Sequence, residues 1–263
     1  MTVFEVPGAA LSTELSDEGG QAVVQLHGLT SSRARDRVLD LDLGRGLSGT
    51  RLLRYDARGH GRSTGRAVAE DYLWPNLADD LLRLLDHRFG GERVYGVGTS
   101  MGSGTLMHAA VREPGRFAGL TLLLPPTAWA TRVAQARQYR LNAALIETEG
   151  EGAFLAAGRD QPEPPAAVGH PETLPEVAEA NLPSVFRGAA GSDLPDPTDL
   201  ARIDVPVRLL AWVDDPSHPL STAHTLADVF RRSTLTVAET PEDVAGWPAL
   251  LHEDVLRVAG GRS

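Results

Sequence analysis

A single serine occupies a sequence context in which it could act as a nucleophile. Ser100 is the centre of a G-x-S-x-G pentapeptide at residues 98–102. A strand-like run, Arg93–Val97, comes directly before this turn, and an apolar helical run, Met101–Val111, follows it without a loop. So sharp a turn forces strained backbone angles on its central residue, and the flanking glycines relieve the crowding. The Ser100 hydroxyl is then expected to project at the carboxyl edge of a sheet, whereas the alternative is a tight turn with a structural role only.

The composition excludes several competing chemistries. The 263 residues include no cysteine and no lysine, and the 25 basic residues, all arginine, face 35 acidic ones for a net charge of −10. Without cysteine there is no thiolate nucleophile, no disulfide and no thiolate metal site. Without lysine there is no Schiff base, amine base or phosphate-loop lysine. Covalent catalysis must therefore use Ser, Thr, Tyr, His or a carboxylate.

Charge and hydropathy also restrict the partners. An acidic chain is a poor partner for the phosphate backbone of a nucleic acid. Residues 1–20 carry four acids and no base, which is unlike a signal peptide, and no apolar run approaches membrane-spanning length. We expect a cytoplasmic protein that acts on a small-molecule or peptide substrate, with no nucleic-acid or membrane partner, no metal and no cofactor.

The elements around the turn predict an α/β architecture. Strand-like runs alternate with helical ones along the chain, which predicts a mostly parallel central sheet flanked by helices. The predicted strands are Thr2–Val6, Gln21–Leu26, Arg51–Tyr55, Arg93–Val97, Leu120–Leu124, Val205–Val213 and Ser233–Ala238. Residues 1–126 and 201–263 are predicted to form the core. Residues 127–200, mostly helical at first and then a mixture rich in Pro, Gly, Ala and Glu, are predicted to form an inserted helical cap.

Three motifs resemble the α/β-hydrolase superfamily in order and spacing. They are His27-Gly28-Leu29, the run Tyr-Asp-Ala-Arg-Gly-His-Gly-Arg-Ser at residues 55–63, and the pentapeptide around Ser100. The resemblance implies the α/β-hydrolase fold with the cap as its variable part. It also implies an oxyanion hole formed by the backbone N–H groups of Leu29 and Met101. His27 and His60 belong to a structural signature in that family, and His27 is in addition a candidate for contact with the substrate.

The resemblance implies a catalytic acid after the strand at 205–213. Asp215, directly before Pro216, stands in that place, and Asp214 is the neighbour with which it could be confused. The alternative is that Asp215 only caps a turn.

The general base is expected between the last strand and the last helix, but residues 239–247 contain no histidine. Thr240 suits an N-cap, Pro241 the first helical position and Asp243 the third, so this loop has the pattern of a helix start. Since a serine hydroxyl needs an adjacent base, loss of the base costs about 10⁶ in turnover.

Two histidines are candidates for a relocated base. His252 lies one turn into the last predicted helix, and His218 lies three residues after Asp215. Each is alternatively a partly exposed helix or turn histidine. Glu242 and Asp243 are weak matches to a serine hydroxyl, because an unperturbed carboxylate has a pKa of about 4.

An oxyanion hole without a base predicts a site that polarises a carbonyl and acidifies its α-proton. This departure resembles the atypical α/β-hydrolase-fold peptide epimerases of bottromycin-type biosynthesis, which racemise an aspartate. The leading hypothesis is a non-hydrolytic epimerase or isomerase of specialised peptide natural-product metabolism, in which Ser100 positions the substrate, Asp215 supports the site and the substrate supplies the base. Two alternatives stay open: a serine hydrolase (esterase, lactonase or thioesterase) with a relocated histidine, and a non-catalytic ligand-binding module.

Four side chains are candidates for substrate binding. Arg137 and Arg140 lie three residues apart on a predicted cap helix, where they could hold an anionic group, although a solvated helix face explains them as well. Trp212 and Trp247 flank the predicted site segments, and lining of a pocket and burial in the core explain them equally well.

Overall fold

A computed structural model describes residues 2–158 and 163–261, and its strands alternate with helices along most of the chain. The strands are β1 (Thr2–Val6), β2 (Ala9–Asp17), β3 (Gln21–Leu26), β4 (Thr50–Tyr55), β5 (Val94–Thr99), β6 (Phe117–Leu123), β7 (Val207–Trp212) and β8 (Ser233–Ala238). The helices are α1 (Arg33–Val38), α2 (Trp74–Phe89), α3 (Met101–Arg112), α4 (Arg132–Glu149), α5 (Glu151–Gly158), α6 (Leu182–Ala190), α7 (Pro197–Leu200), α8 (Leu220–Val229), α9 (Pro241–Ala245) and α10 (Trp247–Gly260).

The strands form one sheet in the order β1-β2-β4-β3-β5-β6-β7-β8. From β4 to β8 all neighbours are parallel, whereas β1, β2 and β4 pair antiparallel. The predicted mostly parallel α/β sheet is therefore confirmed. The strand order reverses between β3 and β5, and the crevice at the carboxyl ends of the strands beside such a reversal is where open α/β sheets bind ligands.

Strand β2 was not among the predicted strands. It follows a tight turn in which Gly8 has a φ of 80°, and only its first half is buried. Its second half reads Glu-Leu-Ser-Asp and lies in solvent, so the residues lack the continuous apolar run that marks the central strands. The start of the chain is therefore a hairpin, β1 and β2, that adds an antiparallel edge to the sheet.

Helices cover both faces of the sheet and bury its apolar side chains. On one face, α2 buries Leu77, Leu81, Leu82, Leu84 and Leu85, as the helical spacing predicts. Each such side chain contributes about 1.5–3 kcal/mol relative to an exposed one. On the other face, α10 packs against β6 and buries its own apolar stripe.

Helices α4 to α7 lie between β6 and β7 in the chain, within the segment predicted as a cap. Helix α4 packs along α6, and the rings of Tyr139 and Phe154 both meet the ring of Phe186 at centroid distances of 5.8 and 5.3 Å. These contacts belong to a separate apolar cluster with Tyr72 and Ile146. None of the helices in residues 2–158 and 163–261 has the length and apolar character needed to cross a membrane.

Candidate active site

The turn at Ser100 has the strained geometry that the pentapeptide predicts. Ser100 joins β5 to α3 with a φ of 52° and a ψ of −108°. A Cβ at Gly98 would lie 2.6 Å from the carbonyl carbon of Gly102, and one at Gly102 would lie 2.8 Å from the carbonyl oxygen of Leu26. Both glycines are therefore needed because the backbone approaches them too closely for any side chain.

His218 connects the Ser100 hydroxyl to a carboxylate. Its Nε2 lies 2.7 Å from Ser100 Oγ, and its Nδ1 lies 2.7 Å from Oδ2 of Asp215. Both distances are those of well-formed hydrogen bonds. Nδ1 donates to the carboxylate, so Nε2 is left as the acceptor of the serine proton. The three side chains thus form a serine–histidine–aspartate relay.

A compact turn after β7 holds both the histidine and the aspartate. The Ser217 backbone N–H donates to Asp215 Oδ1 over 2.9 Å, and the His218 N–H donates to the Asp215 carbonyl over 3.1 Å. The Asp215 side chain therefore folds back on its own turn, as aspartates commonly do. This turn directs the His218 ring and the Asp215 carboxylate toward each other although only two residues separate them in the chain.

Asp215, and not Asp214, faces the histidine. The Trp212 indole N–H also donates to Asp215 Oδ2, over 2.7 Å. Burial alone would raise the pKa of Asp215, but the bonds from His218, Trp212 and the Ser217 backbone lower it to about 2. Asp214 is exposed, with a φ of 58°. The carboxylate beside His218 therefore stays ionised over the whole neutral range.

Of the two histidines considered for relocation, the structure brings His218 and not His252 to the serine. His252 lies in α10, half-buried, and its Nδ1 is enclosed without a hydrogen-bond partner among the described residues. The premise of a serine without a base is therefore wrong. The sequence signal for His218 was its spacing of three residues from Asp215, and a turn of that length can return the ring to the carboxylate.

The loop after β8 has the helix-start structure that its sequence predicts. Thr240 caps α9, its hydroxyl accepts from the Asp243 N–H, and Asp243 Oδ2 accepts from the Glu239 and Thr240 backbone. The Asp243 carboxylate is thus committed to the cap, and these bonds lower its pKa. Glu242, beside it, is exposed in the same first turn.

The turn after β3 lies directly against the nucleophile. A Cβ at Gly28 would be 3.5 Å from the Ser100 Cβ. Within the described residues, neither the Leu29 N–H nor the Met101 N–H, at the first position of α3, makes a hydrogen bond. Two backbone donors without a partner therefore lie in the turns that meet beside the serine, and their role as an oxyanion hole stays a prediction.

His27 supports this turn from inside the protein. Its Nδ1 bonds the Gly28 carbonyl over 2.8 Å, and its Nε2 accepts from the Ala57 N–H over 2.9 Å. Burial is the main reason that the pKa of His27 is lowered, and burial followed by the neighbouring His27 ring lowers that of His60 to about 3. Both of the His27 ring nitrogens are occupied, so the ring supports the turn and offers no unpaired nitrogen to a ligand.

Two adjoining cavities share part of their lining, and one of them borders the relay. The triad cavity, of about 590 Å³, borders residues 215–218 and is lined from α4 by Gln135, Gln138, Tyr139 and Asn142. The acyl cavity, as we name it for its position, has about 870 Å³ and borders Thr30, the residue after Leu29. Phe154, Gly158 and Trp212 line both. Within the same described ranges, no cluster of three or more His, Asp or Glu side chains is arranged to hold a metal ion.

The four predicted binding side chains differ in where they lie. Trp212 lines both cavities, but Trp247 is completely buried behind it, at a ring-centroid distance of 6.3 Å. Arg137 and Arg140 are exposed on α4 and line neither cavity. The α4 residues that do line the triad cavity recur at intervals of three and four, a polar stripe that helical periodicity could have identified.

Comparison with known proteins agrees with this architecture. Residues 21–147 match a family model described as the alpha/beta hydrolase fold. The chain is similar to 3-oxoadipate enol-lactonase 2 of Acinetobacter baylyi, with 26% identity over 70% of this chain and 69% of that protein. A thermophilic esterase from Thermogutta terrifontis superimposes with a TM-score of 0.76 at 22% identity, covering 98% of this chain and 97% of the other. The bottromycin epimerase BotH, in complex with bottromycin A2, superimposes with a TM-score of 0.69 at 22% identity, covering 99% and 98%. By its sheet order, its nucleophile turn and these matches, the chain has the α/β-hydrolase fold.

Proposed function

We propose that the protein is a serine hydrolase that cleaves carboxylic esters or lactones, with Ser100 as nucleophile, His218 as general base and Asp215 as the acid that orients it. The observation that carries the proposal is the pair of hydrogen bonds of His218, one to each partner. The names of the similar proteins, an enol-lactonase and an esterase, support the same class of reaction.

Acylation follows from this geometry. Ser100 Oγ attacks the substrate carbonyl carbon while its proton passes to His218 Nε2, and the Leu29 and Met101 N–H groups donate to the developing oxyanion. The imidazolium then protonates the leaving-group oxygen as its bond to carbon breaks. Asp215 holds Nδ1–H and stabilises the imidazolium without taking its proton.

Deacylation uses the same groups in reverse order. A water molecule gives its proton to His218 Nε2 as its oxygen attacks the acyl carbon. The bond from Ser100 Oγ to the acyl group then breaks, and the proton returns from His218 to the serine. No proton, electron or atom is needed beyond the ester and one water.

The earlier epimerisation hypothesis depended on a serine without a base, and the bond from His218 to Ser100 removes that ground. The likeness to the bottromycin epimerase, at 22% identity, shows the shared fold. Serine hydrolysis is therefore the function that the site supports best.

Rapid-quench mass spectrometry tests the proposal. With 4-nitrophenyl butyrate as substrate, we expect an acyl group on Ser100 that forms and decays at the turnover rate, and no adduct with Ser100→Ala. Incorporation of deuterium at the substrate α-carbon from D₂O, without an adduct, would instead favour epimerisation. Tight binding of substrate without any turnover would favour a non-catalytic module.

A further inference from the structure

The acyl cavity contains a cation that lacks a carboxylate partner. Arg35, in α1, lines this cavity and is half-buried. Its Nε donates to the Thr173 hydroxyl over 2.7 Å, and its Nη1 donates to the Thr30 carbonyl over 3.0 Å. These partners are neutral, and within the described residues Arg35 forms no ion pair. Burial, the largest influence, lowers the pKa of Arg35, and the carboxylates of Asp36 and Glu176, which are near but form no ion pair with it, act in the opposite direction.

Other buried arginines of this protein are paired with carboxylates. The pairs are Arg33 with Asp56, Arg54 with Asp42, Arg58 with Asp80 and Arg208 with Asp254. Such pairing is expected, because a desolvated charge without a partner is costly.

Arg132 is buried without a carboxylate in the described part of the chain, but its guanidinium is otherwise occupied. Its three nitrogens donate to Ser192, Thr127 and Ala189, and its guanidinium lies over the Trp74 ring at 4.4 Å. Arg35 differs, because its Nη2 makes no hydrogen bond to a described residue and is not enclosed. One edge of its guanidinium is therefore free to meet a ligand in the cavity.

Arg35 also lies close to one of the two proposed oxyanion donors. The Thr30 carbonyl that it bonds belongs to the residue directly after Leu29. A substrate carbonyl seated between Leu29 and Met101 can extend its acyl chain past Thr30 into the acyl cavity. Leu39, Leu41 and Leu155 line this cavity and suit a methylene chain.

We propose that Arg35 binds a carboxylate at the far end of the acyl chain, so that the substrate is an ester or lactone whose acyl part is a dicarboxylic acid. Arginine presents a planar fork that matches a carboxylate with two hydrogen bonds. His170, Glu163 and Glu172 also line the cavity, and the two glutamates are exposed and remain hydrated. The inference rests on the proposed hydrolase function for the assignment of the acyl side.

Matched substrates test the charge directly. We compare the mono-4-nitrophenyl esters of adipic, pimelic and suberic acid with the same esters in which the free carboxylate is methylated. The wild type is expected to prefer the free carboxylate at its best chain length by about 10-fold or more in kcat/KM, mainly through KM, as a charge-assisted bond predicts.

Variants assign the preference to one residue. Arg35→Met is expected to lower kcat/KM for the carboxylate ester about 10- to 100-fold more than for its methyl ester, and Arg35→Lys to retain part of the preference. Arg137→Met removes a charge from the exposed face of α4 and is expected to leave the ratio within threefold. Since Arg35 also bonds Thr30, loss of activity on both esters in equal proportion would show a supporting role only and overturn the proposal. So would a loss of preference in Arg137→Met, or the absence of preference in the wild type.

A binding measurement separates this inference from the proposed function. Monomethyl adipate is titrated calorimetrically into Ser100→Ala protein, with and without Arg35→Met. Binding that weakens 10-fold or more with Arg35→Met supports the carboxylate site even if the wild type hydrolyses no ester. Equal binding of monomethyl and dimethyl adipate contradicts the carboxylate site even if Ser100 forms an acyl-enzyme.

Discussion

The loops after β7 and β8 lie side by side at the carboxyl edge of the sheet, yet they use their polar side chains differently. After β7, Asp215 and His218 point their side chains at each other and at Ser100. After β8, where the superfamily resemblance implies the base, the side chains of Thr240 and Asp243 accept hydrogen bonds from the backbone and cap the start of a helix. The relay therefore depends on a histidine nitrogen lying within hydrogen-bond distance of the serine hydroxyl, and not on which loop carries that histidine.

The sheet order explains why one loop can supply both groups. Strand β7 is two positions from β5, with β6 between them. A histidine after β7 therefore has to span one intervening strand, roughly 10 Å between strand axes. The chain reverses in the turn from Asp215 to His218, and Pro219 then stands at the N-cap position of α8. The loop after β8 contains no histidine, and its polar side chains stabilise the start of α9.

Among the variants that distinguish the two loops, His218→Ala is expected to have the largest effect. We expect ester turnover to fall by about 10⁴- to 10⁶-fold, because no other described side chain takes the serine proton. Steady-state hydrolysis of 4-nitrophenyl butyrate measures the loss. Added imidazole, which fits the vacated space, is expected to restore part of the rate, and full activity of the variant without it would refute the assignment.

The next largest effect separates the adjacent aspartates. Asp215→Asn keeps the shape but favours the wrong histidine tautomer, so we expect turnover to fall by about 10³- to 10⁴-fold. Asp214→Asn changes an exposed carboxylate and is expected to stay within threefold of the wild type. The same ester assay measures both, and similar losses in the two variants would mean that Asp214 shares the role.

The depressed pKa of Asp215 predicts a stability change with pH. The pKa of Asp215 is about 2 in the folded protein and has its ordinary value of 3.8 in the unfolded chain, so the folded state favours the ionised form. The resulting contribution is present above about pH 4 and is lost as the pH falls through 2, for a total of about 2 kcal/mol. The free energy of unfolding, measured in urea, is expected to fall more steeply between about pH 6 and pH 2.5 in the wild type than in Asp215→Asn. The same pH dependence in both proteins would contradict the lowered pKa of Asp215.

The smallest effect concerns the loop after β8. Thr240→Ala removes the cap of α9 and is expected to lower the free energy of unfolding by about 1 kcal/mol while turnover stays within threefold. Glu242→Gln, in the same helical turn but without a capping bond, serves as the matched control and is expected to change neither quantity. A large loss of turnover in either variant would return a catalytic role to this loop.

Short sequence patterns correctly predicted those features of the structure that depend on residues close together in the chain. The nucleophile turn, the parallel core strands and the Thr240 cap each depend on a few consecutive residues, and the structure has all three. The exposed half of β2 gave too weak a pattern, because it has neither a continuous apolar run nor a buried face.

Contacts between segments that are distant in the chain could not be predicted from the sequence. Spacing placed His218 three residues from Asp215, but whether its ring points to the serine depends on the turn and on the neighbouring strands. Arg35 and the α4 stripe likewise come to line the two cavities only when the chain between β6 and β7 returns over the sheet edge. Arg137 and Arg140 shared the predicted helix with the stripe but occupy its other face.

The rate at which a fluorophosphonate labels Ser100 tests the central claim most directly, because labelling requires an activated serine and no particular substrate. Intact-protein mass spectrometry is applied to the wild type, His218→Ala and His252→Ala under the same conditions. We predict stoichiometric labelling of the wild type and of His252→Ala at similar rates, and labelling at least 10³-fold slower in His218→Ala. Unchanged labelling of His218→Ala, or its loss in His252→Ala, would contradict the account.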